Sequence, residues 1–215
     1  VGGGSYTSPG IGAGMKLILV RHGETSWNVV RRIQGGSQEV QLNHRGQEQA
    51  QKVALALRRE RLEAIYSSPR ERALDTARAI AEPHNLEVFI KAGLREIETG
   101  LVGGMTVEEC HQAFPQFWKE WREGIEPLRW PGGESLAEVV DRVKPVVAGI
   151  RQRHSTGTVV VVSHIYTMSA LLLWALGLRL NQYPRLRLEP ASITVLRWDG
   201  ERPALALFND TCHWR

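Results

Sequence analysis

The chain has 215 residues, of which 42% are hydrophobic and 23% charged, with a formal net charge of +4. That length supports one domain with a sizeable core, and the balance excludes a disordered chain. The positive charge is carried mainly by Arg and is scattered, clustering only at Arg31-Arg32 and Arg58-Arg59, which suits oxyanion ligands better than a nucleic-acid footprint.

Residues 1–14 are rich in Gly, Ser and Pro and read as a leader or flexible extension, with a single domain over 15–215. The Gly10-x-Gly12-x-Gly14 pattern precedes a strand instead of following one, the wrong order for a dinucleotide fingerprint. Strands are predicted at 16–21, 62–66, 86–90, 158–162, 191–197 and 204–208, with helical stretches between them. This alternation predicts an α/β fold: a three-layer α/β/α arrangement with a mostly parallel central sheet. Val159-Val160-Val161-Val162, apolar on both faces, is the clearest central strand.

Asn43 is placed to cap a helix whose Ala50, Val53, Ala54 and Leu57 fall at helical spacing. Ser68-Pro69-Arg70-Glu71 combines a capping box with Pro at the first helical position, ahead of Ala73, Leu74, Ala77, Ile80 and Ala81. Two further capping boxes are Thr106 with Glu109 and Ser135 with Glu138; the second opens a helix to about His154, with Pro145 as a candidate kink. Residues 93–133 interrupt the alternation and carry Phe114, Phe117, Trp118, Trp121 and Trp130, which predicts a helical insertion over the active site, serving as a lid or specificity wall with some aromatics in the core. Residues 159–178 are apolar enough to raise a membrane question, but Ser163, His164, Tyr166, Thr167 and Ser169 interrupt them, so we expect a strand, a polar turn and a helix, with no membrane span. Cys110 and Cys212 form no C-x-x-C motif, which predicts neither disulfide framework nor zinc site and suits a cytoplasmic protein.

Polar residues recur where predicted strands end. Arg21 and His22 follow the first strand, Ser67-Ser68-Pro69 and then Arg72 follow the second, and Ser163-His164 follow the fourth. A loop at 94–98 adds Glu96 and Glu98. In open α/β sheets ligands bind at these carboxyl ends. An Arg in a helix's first turn opposes the helix dipole, a penalty that a nearby anion removes. Together the groups compose a phosphoryl-transfer site. Two guanidinium groups bind non-bridging oxygens, one imidazole attacks phosphorus, a second supports it, and a carboxylic acid protonates the leaving oxygen. This chemistry calls for no metal and no cofactor.

Several of these segments, in this order, resemble one family. Leu19-Val20-Arg21-His22-Gly23-Glu24-Thr25 with Trp27-Asn28 looks like the signature of the histidine phosphatase superfamily, in its phosphoglycerate mutase-like branch. Arg31-x-Ile33-Gln34-Gly35, Ser67-Ser68-Pro69 with Arg72-Ala73, Leu94-Arg95-Glu96-Ile97, Pro131-Gly132-Gly133-Glu134-Ser135 and Val162-Ser163-His164 resemble its later motifs, so the likeness spans residues 15–214. The resemblance implies His22 as nucleophile, Arg21, Arg72 and His164 as the phosphate pocket, and Glu96 as proton donor. It also implies that Asn28 and the Gln34-Gly35 turn help hold phosphate. Ile165 and Tyr166 stand where the family usually has small glycines after the second histidine, which puts Ile165 against the substrate and narrows the pocket or reorients its backbone. Glu98 shares or replaces the role of Glu96 as an open alternative.

About 200 residues is closer in length to the family's phosphatases than to its mutases. The expected activity is therefore hydrolysis of a small phosphomonoester, with Arg129, Trp130 and the insertion shaping the non-phosphate end. The alternatives are a cofactor-dependent phosphoglycerate mutase and a catalytically silent phosphate-binding or interaction module. Exposed Trp residues in the insertion leave a homodimer open.

Overall fold

A computed structural model describes residues 14–214; the extension expected at 1–14 lies outside them except for Gly14. The strands are β1 (Met15–Arg21), β2 (Leu62–Ser67), β3 (Val88–Ile90), β4 (Thr158–Ser163), β5 (Ile193–Trp198) and β6 (Pro203–Asp210), each bounded within two residues of its predicted limits. They form one six-stranded sheet in the order β3-β2-β4-β1-β5-β6. β3, β2, β4 and β1 run parallel, β5 is antiparallel to β1, and β6 is antiparallel to β5.

The apolar runs decide which strands are central. Leu19 pairs with Val161 and Val20 with Val162, and all four are fully buried. Side chains alternate between faces along a strand, so one pair of strands feeds two cores. Leu17, Leu19, Val159 and Val161 pack against α6 (Leu136–Arg153) and α7 (Ile165–Ala175) through Val143, Val147, Met168 and Leu171. Ile18, Val20, Val160 and Val162 pack against α2 (His44–Leu57) and α3 (Glu71–Ala81) through Val53, Leu57, Ala77 and Ile80. The result is the expected three-layer arrangement. Residues 159–178 divide into β4, a polar junction and α7, and among the described residues no helix is long and apolar enough to cross a membrane.

Most predicted caps form. Asn43 Oδ1 accepts from Gly46 N at 2.7 Å, and capping boxes close at Thr106 with Glu109 and at Ser135 with Glu138. A further box, Thr25 with Asn28, opens α1 (Ser26–Val29). The box predicted at Ser68 does not form. α3 starts at Glu71 with Arg70 as an uncapped N-cap, because the Ser68 hydroxyl lies 2.7 Å from His164 Nε2 and accepts only a long 3.3 Å bond from Arg70 N. α6 runs through Pro145 as one continuous helix to Arg153.

The insertion forms α4 (Val107–Ala113) and α5 (Pro115–Glu123). Its aromatics are mainly core. Trp121 and Trp130 are buried with ring centroids 4.7 Å apart, and Phe117, Tyr166 and Tyr183 pack around them. Trp130, fully buried, therefore serves the insertion's own core and not a specificity wall. Replacing it leaves a large cavity, so Trp130→Ala is expected to cost about 3–5 kcal/mol in urea unfolding. A loss under about 1 kcal/mol would show that this cluster does not hold the insertion to the sheet.

Candidate active site

The sheet brings three junctions together because β1, β4 and β2 are parallel neighbours whose carboxyl ends lie side by side. His22 N donates to Ser163 O at 3.0 Å, Ser68 N to Val162 O at 3.1 Å, and Ser163 Oγ to Leu94 O at 2.7 Å. These bonds tie the ends of the three strands to each other and to the loop carrying Glu96. Gly23 allows the chain leaving β1 to pass close against α2: a Cβ there would lie 2.4 Å from Gly46 O. Its N–H donates to Thr76 Oγ1 at 3.1 Å, and Thr76 Oγ1 donates to Arg72 O at 2.8 Å, so the turn after β1 is locked to α3.

Arg21, His22, Arg72, Glu96 and His164 converge here, all buried. His22 Nδ1 lies 2.7 Å from Gly23 O, which requires the proton on Nδ1 and leaves the lone pair on Nε2. The His22 and His164 ring centroids are 5.1 Å apart. Burial, followed by the charges of Arg72 and Arg21, holds His22 well below the usual imidazole range. Burial and Arg72 do the same to His164. Arg72 donates to Gln38 O at 2.9 Å and Gly35 O at 3.2 Å, and burial lowers its pKa to about 10. Arg21 donates to Leu188 O. Even so, Arg21 Nε, Arg72 Nε and His164 Nδ1 are buried without a partner among the described residues. Unpaired buried polar atoms cost roughly 1–3 kcal/mol each, so three around one imidazole form a cradle suited to an oxyanion.

Glu96 stands at the amino end of α7. That helix has no side-chain cap from His164; instead Glu96 accepts from Tyr166 N at 3.3 Å and Thr167 N at 3.2 Å, as well as from Ile97 N at 2.9 Å. Burial raises its pKa above the ordinary carboxylate range, against the lowering effect of those amides and of Arg72. Its loop is clamped by Arg142, which donates to the carbonyls of Gly93 and Arg95 at 2.8 Å and of Glu96 at 3.2 Å, and to both oxygens of Glu134 at 3.0 Å. Glu98 is partly exposed, leans toward Arg95 and is not in the cavity wall, which separates it from Glu96.

A cavity of about 290 Å³ opens onto Arg21, His22 and Glu96 of this cluster, while Arg72 and His164 are not part of its wall. Arg21, His22 and Glu96 contribute to it from below, Trp27, Asn28, Arg31, Arg32, Ile33 and Gln34 from the loop after β1, and Val107, Ile165 and Tyr166 from the helices. A larger cavity, about 590 Å³, lies at the opposite end of β1 against Met15 and Trp198, away from the histidines. Asn28 Oδ1 is engaged by Thr25, so its amide N–H is what it can offer a ligand. Gln34 donates to Thr25 Oγ1 at 2.7 Å and has its Oε1 buried without a partner. Gly35 is not in the wall: its carbonyl holds Arg72 and its N–H donates to Gln38 at 2.8 Å. Arg129 is also outside, paired with Glu138 at 2.7 Å on the surface. Both residues after His164 line the cavity, and the Tyr166 ring leans onto Trp121 and Trp130.

Sequence reasoning missed Ser68 as the partner of His164 and Arg142 as the clamp on the Glu96 loop. The spacing of Arg142 with Val139, Val143 and Val147, on the apolar side of the helix opened at Ser135, is the one signal that could have found the clamp.

The chain is 42% identical over 199 residues to phosphoserine phosphatase 1 of Hydrogenobacter thermophilus, covering 93% of this chain and 94% of that protein. It is 34% identical over 202 residues to phosphoglycerate mutase-like protein 4 of Arabidopsis thaliana, covering 92% and 86%. Its fold is similar to that of a mycobacterial glucosyl-3-phosphoglycerate phosphatase complexed with VO3, with a TM-score of 0.85, 32% identity, and coverage of 91% and 99%. The family model for the histidine phosphatase superfamily (branch 1) matches residues 17–211, and the chain belongs to that superfamily.

Proposed function

We propose that the protein is a phosphatase that hydrolyses a small phosphomonoester through a phosphohistidine at His22, within a single domain over residues 15–215. The observation that carries this reading is His22 itself: its proton is held on Nδ1 by Gly23, and its ring sits among the three unpartnered buried nitrogens of Arg21, Arg72 and His164. The likeness to phosphoserine phosphatase 1 and to the glucosyl-3-phosphoglycerate phosphatase supports hydrolysis and a phosphorylated metabolite as substrate. Cytoplasmic placement is supported by cysteine usage, with Cys110 buried among apolar residues of the insertion core.

In the first step the Nε2 lone pair of His22 attacks phosphorus, the N–P bond forms and the ester P–O bond breaks. Glu96 gives its proton to the departing oxygen. Arg21, Arg72 and His164 hold the non-bridging oxygens, and the charge of the two guanidinium groups stands in for a metal ion at the transition state. In the second step water attacks phosphorus, its proton passes to Glu96, the N–P bond breaks and inorganic phosphate leaves. Asn28 and Gln34 stand on the same wall as added donors. Gly35 acts through Arg72, and Ile165 narrows the cavity beside the leaving group.

Phosphate release from a panel of phosphorylated metabolites, measured in chelator, tests this directly. Wild type should release phosphate, and His22→Ala should lose on the order of 10⁴-fold or more in kcat. Interconversion of phosphoglycerates without net release would instead establish the mutase, and silence on every substrate a binding module.

The pH profile follows from the two directions of shift. Because His22 is depressed, it stays neutral through the usual imidazole range, so kcat/KM should fall on the acid side only well below pH 6.5. Because Glu96 is raised, its acid form persists above the carboxylate range, and kcat/KM should decline as pH rises through that shifted value. Glu96→Gln keeps an acceptor for the α7 amides but donates no acidic proton. It should flatten the alkaline limb and cost about 10²–10⁴-fold in kcat/KM on alkyl phosphates, and much less in kcat/KM on p-nitrophenyl phosphate, whose leaving group needs no proton. Equal losses in kcat/KM on both substrates would remove Glu96 from the acid role, since kcat/KM ends with the first phosphoryl transfer and leaves out the second step, in which Glu96 acts as base on both.

A further inference from the structure

The turn out of α1 carries a side chain that neither the fold nor the chemistry above uses. Arg31 has φ of 52°, in the left-handed region that glycine enters freely and Arg enters at a cost. What the fold takes from this residue is backbone: its N–H donates to Asn28 O at 3.2 Å, and its carbonyl accepts from Val107 N at 3.0 Å. Glycine would make both bonds with less strain. Non-glycine residues held in this region concentrate at functional sites.

The side chain is what glycine would not supply. Arg31 lines the active-site cavity, and its guanidinium has no hydrogen bond or ion pair with any described residue. The other two arginines of the wall are engaged. Arg21 donates to Leu188 O, while Arg32 donates to Gly104 O and lies over the Trp27 ring at 5.7 Å. Glu96 is the carboxylate in that wall, and backbone amides already hold it. The mouth of the cavity therefore presents an unmatched cation beside the place where the proposed substrate's non-phosphate end must lie.

We propose that Arg31 is a specificity residue that takes a carboxylate carried by the substrate near its phosphoester, while Arg21 and Arg72 hold the phosphoryl group. The planar guanidinium fork matches a carboxylate in two parallel bonds. A cavity of about 290 Å³ keeps both anionic groups within one small molecule. This assignment rests on the phosphatase reading and narrows it to small phosphorylated acids.

The test uses two substrate pairs that differ at the carboxylate: phosphoserine against phosphoethanolamine, and 3-phosphoglycerate against glycerol 1-phosphate. Wild type should prefer the acid in at least one pair. In Arg31→Gly that preference, as a ratio of kcat/KM values, should fall by about five- to tenfold, mainly through KM, with Arg31→Lys in between. The melting temperature of Arg31→Gly should be no lower than wild type, since glycine suits the backbone. A preference within about twofold of wild type, or an equal loss on both members of a pair, overturns the role of Arg31 and leaves the phosphatase reading standing. A wild type that discriminates within neither pair also overturns it. If wild type releases phosphate from no compound, the phosphatase reading itself fails.

Discussion

Two guanidinium groups and two imidazoles are buried together at the carboxyl ends of three parallel strands, and the rest of the site follows from that concentration of positive charge. Burial disfavours the charged form of each group, and each arginine raises the cost of protonating the histidines. Arg21 and Arg72 stay charged because guanidinium titrates so far above neutrality, so the imidazoles yield and remain neutral. A neutral histidine beside two fixed cations is a poor resting arrangement for the protein alone and a good one for a dianion. The three unpartnered nitrogens express the same imbalance in hydrogen bonds.

The single carboxylate of the cluster is anchored from two directions. The free amides at the start of α7 fix one side of Glu96, and Arg142 fixes the backbone of its loop from α6. The two attachments differ in kind. The α7 amides stabilise the ionised form and oppose the burial that raises the pKa, whereas Arg142 spends its bonds on carbonyls and on Glu134, which it and Arg95 hold below the ordinary carboxylate range. The α7 amides thus act on both the position and the protonation of Glu96, whereas Arg142 acts on the position of its backbone.

The fold was legible where one physical rule dominated. Apolar runs of strand length with both faces buried, such as Val159-Val160-Val161-Val162, left little choice, and all six strands lie where expected. The convergence of Arg21, His22, Arg72, Glu96 and His164 was also legible, because parallel strands put their ends side by side. Reading failed where one side chain had two uses. Ser68 has the sequence of a helix cap, but its hydroxyl goes to His164, and nothing local announces a partner 96 residues away. Trp130 and its neighbours looked like a wall over the site, yet an aromatic cluster large enough to wall a cavity is also large enough to be a core, and composition does not separate the two. Gly35 sits in a phosphate-loop motif but reaches the site only through Arg72.

The cavity divides along the same line. Its floor is built from strand ends and helix starts that the two cores hold rigid, and the floor groups answer to each other electrostatically, so none can change alone without shifting its neighbours' protonation. Its mouth is built from the turn after α1 and the first residue of α4, joined by the bonds Ile33 N to Met105 O and Val107 N to Arg31 O. These two bonds are backbone to backbone and place no demand on the side chain of Arg31, while Arg32 adds a side-chain bond to Gly104 O. Of the side chains at this rim, Arg31 makes no bond to any described residue, whereas Trp27 lies under Arg32 and Val107 packs against the insertion core. A strained Arg at such a rim position, where glycine would satisfy every backbone bond, is the kind of departure that a demand from the ligand explains and a demand from the fold does not.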